Sequence, residues 1–240
     1  ERVLLEAGAR HVQLRGYSPA MLLDRKVREI VSGGEAVDAF LSRVAGPTPT
    51  PGGGSVASHA GALGAALAQM VAGLTIGKKK YAAVESEMKE LSLRASALRR
   101  QLAELVQRDA DSYETVRAAY AMPREPEDAA AARNAAIQQA LIGASEVPLE
   151  TARAAAAVAE LAATVAERGN SNASTDGAVA ALIAEAACKG AALNVRVNVA
   201  SLDATSGDVG ARLASEARAC IDAASVHARP AKPPPVEVPG

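Results

Sequence analysis

The chain has 240 residues, with 26 Lys and Arg against 27 Asp and Glu, and a formal net charge of −1. That balance excludes the strongly basic surface that nucleic-acid backbones require. With 49% hydrophobic and 22% charged residues the chain is not wholly disordered, and its length suits one domain or two small ones. A core of this size needs no disulfide or metal to stabilise it. Aromatic residues are only 2%, Trp is absent, and alanine is roughly a quarter of the chain. This is a helix-forming composition. Cys188 and Cys220 lie far apart without framework spacing, which predicts a reduced, cytoplasmic setting.

Residues 1–20 are weakly patterned, and a first amphipathic helix is predicted over about 20–31, followed by a second over 35–43. The run Gly46-Pro47-Thr48-Pro49-Thr50-Pro51-Gly52-Gly53-Gly54 fits neither helix nor strand. A helix over 55–76 follows, free of Asp, Glu, Lys and Arg, and stopped by Gly77. Its length invites a membrane span. However, its many Gly and Ala, with Ser58, His59 and Gln69, fit the centre of a bundle better. A long helix over 81–122 carries the stripe Leu91, Ala95, Leu98, Leu102, Leu105, Asp109, Tyr113, Val116, Tyr120, which is a single face. Helices over 127–146 and 148–168 are split at Pro148. A helix capped by Ser174 or Thr175 then runs past Asn198, and a last one covers 209–227. The Pro-rich stretch 229–240 reads as an extended tail. The expected fold is all-α, an antiparallel bundle of seven or eight helices.

No HExxH, Walker A or GxSxG pattern is present. The chemistry on offer is that of carboxylates and amides. Asp109 stands on an apolar face, where lost hydration raises a carboxyl pKa toward neutrality and suits it to proton transfer. The competing reading is an ion pair or a solvent-facing position. The turn Gly52-Gly53-Gly54-Ser55 precedes a helix and offers free N–H groups to an anion or carbonyl, or else marks close packing. Lys78, Lys79 and Lys80 follow a helix C-terminus and form either a solvated face or a landing site for an acidic ligand. Asn194 and Asn198 share a face with small residues, which fits a planar polar ligand or interhelical hydrogen bonds. Asp176 sits at a helix start, where a capping role competes. Glu185, between alanines, needs a partner if buried, and a salt bridge would supply it.

Together, four stretches resemble the cyclodeaminase domain of formiminotransferase-cyclodeaminase and its stand-alone bacterial relatives. These are Pro51-Gly-Gly-Gly-Ser55 with Gly77-Lys-Lys; Asp109-Ala-Asp-Ser-Tyr113; Glu146-Val-Pro-Leu149; and Gly169-Asn170, Asp176, Glu185, Gly190 and Asn194-Val-Arg-Val-Asn198. The resemblance spans about residues 25–225. It implies an all-helical homodimer, or a higher oligomer, with a folate groove near the subunit interface. It also implies cyclisation of 5-formiminotetrahydrofolate to 5,10-methenyltetrahydrofolate with loss of ammonia. Asp109 matches the family's catalytic carboxylate, and Asp111 falls where relatives carry a second acid. Gly52, Gly53, Gly54, Ser55, Asn170, Asp176, Glu185, Asn194 and Asn198 would bind the substrate. Lys78 and Lys79 would attract its glutamate tail, which is polyglutamylated in some folates. The resemblance implies no metal and no cofactor beyond the folate. Residues 1–33 resemble the end of a formiminotransferase part, which suggests a chain cut from a bifunctional protein. Residues 34–228 form the cyclodeaminase-like domain.

The motifs do not separate this activity from hydrolysis of 5,10-methenyltetrahydrofolate to the 10-formyl compound. The formiminotransferase-like opening favours the cyclodeaminase. A non-catalytic helical dimerisation module is the rival of a different class. Nucleic acid and membrane are not expected partners.

Overall fold

The computed structural model describes residues 33–228, which divide into two units, one ending at Thr48 and one starting at Pro49. The first contains α1 (Gly33–Ala45), with Val37 and Leu41 exposed. The expected helix over 20–31, the leader and the tail lie outside the described residues.

The second unit contains α2 (Gly53–Thr75), α3 (Glu85–Tyr120), α4 (Glu127–Arg168), α5 (Ser174–Val199) and α6 (Gly207–His227). Short turns join them, which makes successive helices antiparallel neighbours. α4 packs against α2, α3, α5 and α6, while α2 also lies against α3 and α5. No strand occurs among the described residues, and the fold is all-helical. The six helices are fewer than the seven or eight expected, because one falls outside the described residues and two are fused. Gly77 turns the chain after α2 with φ 77°, a left-handed conformation that suits glycine. Residues Lys79–Val84 then form a 3-10 segment where the sequence pattern suggests α-helix already.

The fusion occurs at Pro148. α4 runs unbroken from Glu127 to Arg168 with the proline inside it. Proline has no N–H for the carbonyl four residues back, and that carbonyl belongs to Ala144. Asn198 on α5 supplies the donor: its Nδ2 donates to Ala144 O at 2.6 Å. An amide from a neighbouring helix therefore replaces the bond that the proline removes, and the helix does not need to end.

The core is made of small residues and a few leucines. Leu102, Leu105, Val158, Ala65, Ala155, Ala184, Ala187 and Ala191 belong to one buried cluster. A Cβ on Gly177 would lie 2.7 Å from Ala166 Cβ, so α5 and α4 touch almost backbone to backbone there. α2 and the segment Ser171–Val199 are both long and apolar enough to cross a membrane, but about half of each is buried in the bundle. The same composition is what close interior packing requires.

Replacing Asn198 with Ala should lower stability by about 1–3 kcal/mol, because the buried Ala144 carbonyl loses its donor. In a Pro148→Ala background the restored N–H should remove most of that cost. Urea unfolding of the four proteins of this cycle measures the coupling.

Candidate active site

The site begins with a helix that lacks its own cap. Gly52 at the N-cap of α2 offers no side chain, and its first turn holds no acidic residue. The first N–H groups of a helix have no partners within the helix. Here α3 supplies one. Asp109 Oδ2 accepts a hydrogen bond from Ser55 Oγ at 2.8 Å, and the Ser55 backbone N–H also points to the Asp109 carboxylate. The contact requires glycine at position 54, where a Cβ would fall 2.1 Å from Asp109 Oδ1.

Asp109 is half-buried, in the wall of a cleft of about 350 Å³. The turn Pro49, Thr50, Gly52, Gly53 and Gly54 forms one side. Ser112, Tyr113, Val116 and Tyr120 of α3 form another, and Leu141, Ala144, Asn194, Asn198 and Ser201 complete it. No Lys or Arg is among these residues. Burial therefore dominates and raises the Asp109 pKa above the ordinary carboxylate range, against the Ser55 hydroxyl and N–H, which favour the charged form.

Ser55 Oγ also lies 3.1 Å from Val106 O. Its single proton thus has two acceptors. When Asp109 is ionised, Ser55 donates to it. When Asp109 is protonated, Ser55 can donate to Val106 O and accept from the carboxyl. The acid can change state without losing its hydrogen bond.

The two amides are oriented by backbone. Asn194 Nδ2 donates to Gly190 O at 2.9 Å and Asn198 Nδ2 to Ala144 O. Flipping either amide would set oxygen against oxygen, so both orientations are fixed. Each keeps its Oδ1 and a second N–H for a ligand.

The structure brings together Gly52, Gly53, Gly54, Ser55, Asp109, Asn194 and Asn198. The other candidates lie elsewhere. Asp111 is exposed, accepts from Gln107 Nε2 at 2.8 Å, and lines a different groove. Lys78 and Lys79 are exposed beyond the far end of α2, about 33 Å of helix from Gly53. Asn170 is at that end too, its N–H donating to Thr75 Oγ1 at 2.8 Å and its Oδ1 capping a 3-10 turn. Asp176 opens α5 nearby. Glu185, midway along α5, forms a 2.7 Å ion pair with Lys189, which together with Ser225 lowers its pKa. This is the salt bridge that its sequence context allowed.

The sequence spacing puts Tyr113, Val116 and Tyr120 on the same face of the long helix as Leu102, Leu105 and Asp109. In the structure they line the cleft, with Tyr113 40% and Tyr120 49% exposed. The tyrosines were the available signal, since their hydroxyls suit a wet wall better than a core. Ala144, Leu141 and Ser201 gave no local sign of their place.

Residues 36–218 match the sequence model of the formiminotransferase-cyclodeaminase family. The chain belongs to this family. It is 44% identical to a methenyltetrahydrofolate cyclohydrolase of Methylorubrum extorquens over 72% of this chain and 83% of that one. It is 34% identical to the formimidoyltransferase-cyclodeaminase of Rattus norvegicus, covering 67% of this chain but only 30% of that longer protein. Among solved structures, it resembles formiminotetrahydrofolate cyclodeaminase of Thermotoga maritima, with 30% identity and a TM-score of 0.65 over 78% of this chain and 92% of that one.

A carboxyl with a raised folded-state pKa binds its proton more tightly in the native protein than in the unfolded chain. The protein therefore loses stability as pH rises from the ordinary aspartate value to the raised one. Asp109→Asn removes that loss. The variant should melt higher than the parent at neutral pH, with the difference vanishing at acid pH, as followed by thermal unfolding across a pH series.

Proposed function

We propose that this chain hydrolyses 5,10-methenyltetrahydrofolate to 10-formyltetrahydrofolate, with Asp109 as the proton-transfer group. The observation that carries this is the half-buried carboxyl at the N-terminus of α2, facing a cleft and held above the usual carboxylate range by burial. Ionised Asp109 takes a proton from a water molecule as its oxygen bonds to the methenyl carbon. It returns that proton to N5 as the carbon–N5 bond breaks. The hydroxyl of the intermediate loses its own proton and becomes the formyl oxygen on N10. A cation and water thus give a neutral product and one released proton. The carbon–oxygen bond is made and the carbon–N5 bond broken with no cofactor beyond the folate.

The choice of hydrolysis rests on the 44% identical relative, named as a cyclohydrolase and matched over most of its length. The sequence-based preference for the cyclodeaminase drew on residues 1–30, which precede the family match at residue 36. The cyclodeaminase remains the second reading because the similar solved structure bears that name. There the same carboxyl would take the N10 proton and deliver one to the departing ammonia. Asn194 and Asn198 orient the pterin ring in either case, and the glycine turn lets it approach the main chain.

The cleft lacks a cation for the glutamate tail. A second copy provides it. Val56, Leu63, Met70 and Leu74 on α2 and Val179, Leu182, Leu193 and Val197 on α5 are exposed apolar residues on two adjacent helices. A homodimer related by a two-fold axis across α2 covers this face. Antiparallel pairing then sets Lys78 and Lys79 of one copy beside the glycine turn of the other.

The methenyl chromophore decides between the activities. Decay faster than the blank supports hydrolysis, while growth from formiminotetrahydrofolate without accelerated decay overturns it in favour of the cyclodeaminase. Asp109→Asn should lower kcat by about 10²–10⁴. Ser55→Ala should move the acid limb of the pH–rate profile to higher pH, because it removes a donor that favours the ionised acid.

The lysine assignment has its own test. Replacing both Lys78 and Lys79 with Ala should raise KM more for a polyglutamylated substrate than for the monoglutamate, and the difference should shrink as salt rises.

A further inference from the structure

Two hydroxyl side chains face each other inside the alanine-rich core. Ser58 on α2 and Thr151 on α4 are 0% and 1% exposed, and their oxygens lie 2.9 Å apart. Ser58 Oγ also donates to Gly54 O at 3.1 Å, and Thr151 Oγ1 lies 3.3 Å from Val147 O. Each hydroxyl has a single proton, so two of these three bonds form at once. The shorter pair has Thr151 donating to Ser58 and Ser58 donating to Gly54 O. Around the axis of α2, Ser58 falls between Gly54 and Ser55, one turn further along. One face of the helix therefore meets Asp109 at its first turn and Thr151 at its second. Packing alone does not call for two hydroxyls here, since alanine and valine fill the surrounding cluster.

The Gly54 carbonyl and the Ser55 N–H are the two ends of one peptide group. That N–H is among the donors to the Asp109 carboxylate. A donor on the carbonyl oxygen polarises the amide and makes its N–H a stronger donor. Thr151, Ser58, the Gly54–Ser55 peptide and Asp109 form one chain of hydrogen bonds from α4 through α2 to α3. Every proton in it points toward the acid. Neither hydroxyl lines the cleft. Asp109 is the one charged side chain of that cleft among the described residues. Tyr113 and Tyr120, both on α3, are its other titratable groups, and α2, α4 and α5 contribute none. We infer that Ser58 and Thr151 are positioning residues for the proton-transfer acid, acting on Asp109 through the Gly54–Ser55 peptide without touching the substrate. Their role in turnover rests on the proposed folate chemistry of Asp109.

Ser58→Ala removes the donor on Gly54 O and leaves Thr151 with Val147 O as its acceptor. The weakened N–H favours the ionised acid less. The Asp109 titration, read from its carboxyl NMR resonance, should therefore move up by roughly 0.1–0.6 pH unit, the share that such a chain adds to a charge-assisted bond. The acid limb of the pH–rate profile should follow it, with KM for the methenyl substrate unchanged. Thr151→Val tests the same chain with Ser58 still in place and should give a smaller shift in the same direction. Thr151→Ser, which keeps the hydroxyl, should hold the parent value. A pair that only packs would lower the urea midpoint in Ser58→Ala and leave the Asp109 titration in place, and that result overturns the inference. A shift that vanishes in a Ser55→Ala background, where the N–H is still present, also overturns it. If the parent turns over no folate, the proposed function fails, and the carboxyl titration, which needs no substrate, decides the coupling by itself.

Discussion

One contact organises this molecule: the Asp109 carboxyl laid across the first turn of α2. It does for α2 what a cap residue does from within the helix, but from the middle of another helix. The arrangement places two opposed effects on a single acid. The Ser55 donors and the positive end of the helix favour the ionised form, and burial disfavours it. Burial is the larger, so the acid sits between the behaviour of a surface aspartate and that of a neutral buried carboxyl. The second acceptor available to Ser55, the Val106 carbonyl, keeps both states hydrogen-bonded. A structural cap would need only the charged state. A group that changes state repeatedly needs both to be satisfied.

The fold is built so that this contact is possible. A residue with a Cβ at position 54 would push Asp109 away, and larger side chains along α2 and α5 would hold the helices apart. The alanine-rich composition is therefore tied to the site as well as to the core. Pro148 and Asn198 make the same connection from the other side. The proline frees a carbonyl on α4, and the amide that satisfies it belongs to the cleft wall. The site is framed by residues that also hold the bundle together.

Much of this was legible in the sequence. Asp109 was singled out by its position on an apolar stripe, where lost hydration raises a carboxyl pKa, and burial is the largest influence on its pKa in the fold. The glycine turn and the two asparagines were singled out by spacing and composition, and they meet at the same cleft. What sequence could not reveal was distance. Lys78, Asn170 and Asp176 sit in motifs next to those of the cleft, yet a straight helix of 23 residues separates the two ends. Local spacing says which residues share a face, not where along the bundle a face becomes a cleft. The stripe on α3 shows this well. Leu102 and Leu105 are fully buried, whereas Tyr113 and Tyr120 continue the same periodicity into an opening. The change happens because α2 begins opposite Asp109, and nothing in the sequence of α3 marks where its neighbour starts. Pro148 misled for a related reason: the donor that lets the helix continue is 50 residues further along the chain.

On the proposed chemistry, the two folate reactions known by name among the relatives ask the same thing of Asp109. In both, a nucleophile loses a proton as it reaches a one-carbon centre, and a nitrogen gains one as it leaves. They differ in the nucleophile, which is water in one and N10 in the other. The acid therefore does not choose between them; access of water to the carbon does. The cleft wall around the carboxyl is mixed rather than apolar, with Thr50, Ser112 and Ser201 among its residues and 40–49% of the two tyrosines exposed. A wall of that kind admits and orients water beside the acid. A site that must exclude water, to protect a methenyl product from hydrolysis, would be lined otherwise. A mixed wall of this kind is compatible with the proposed hydrolysis, whose choice over the cyclodeaminase rests on the 44% identical relative.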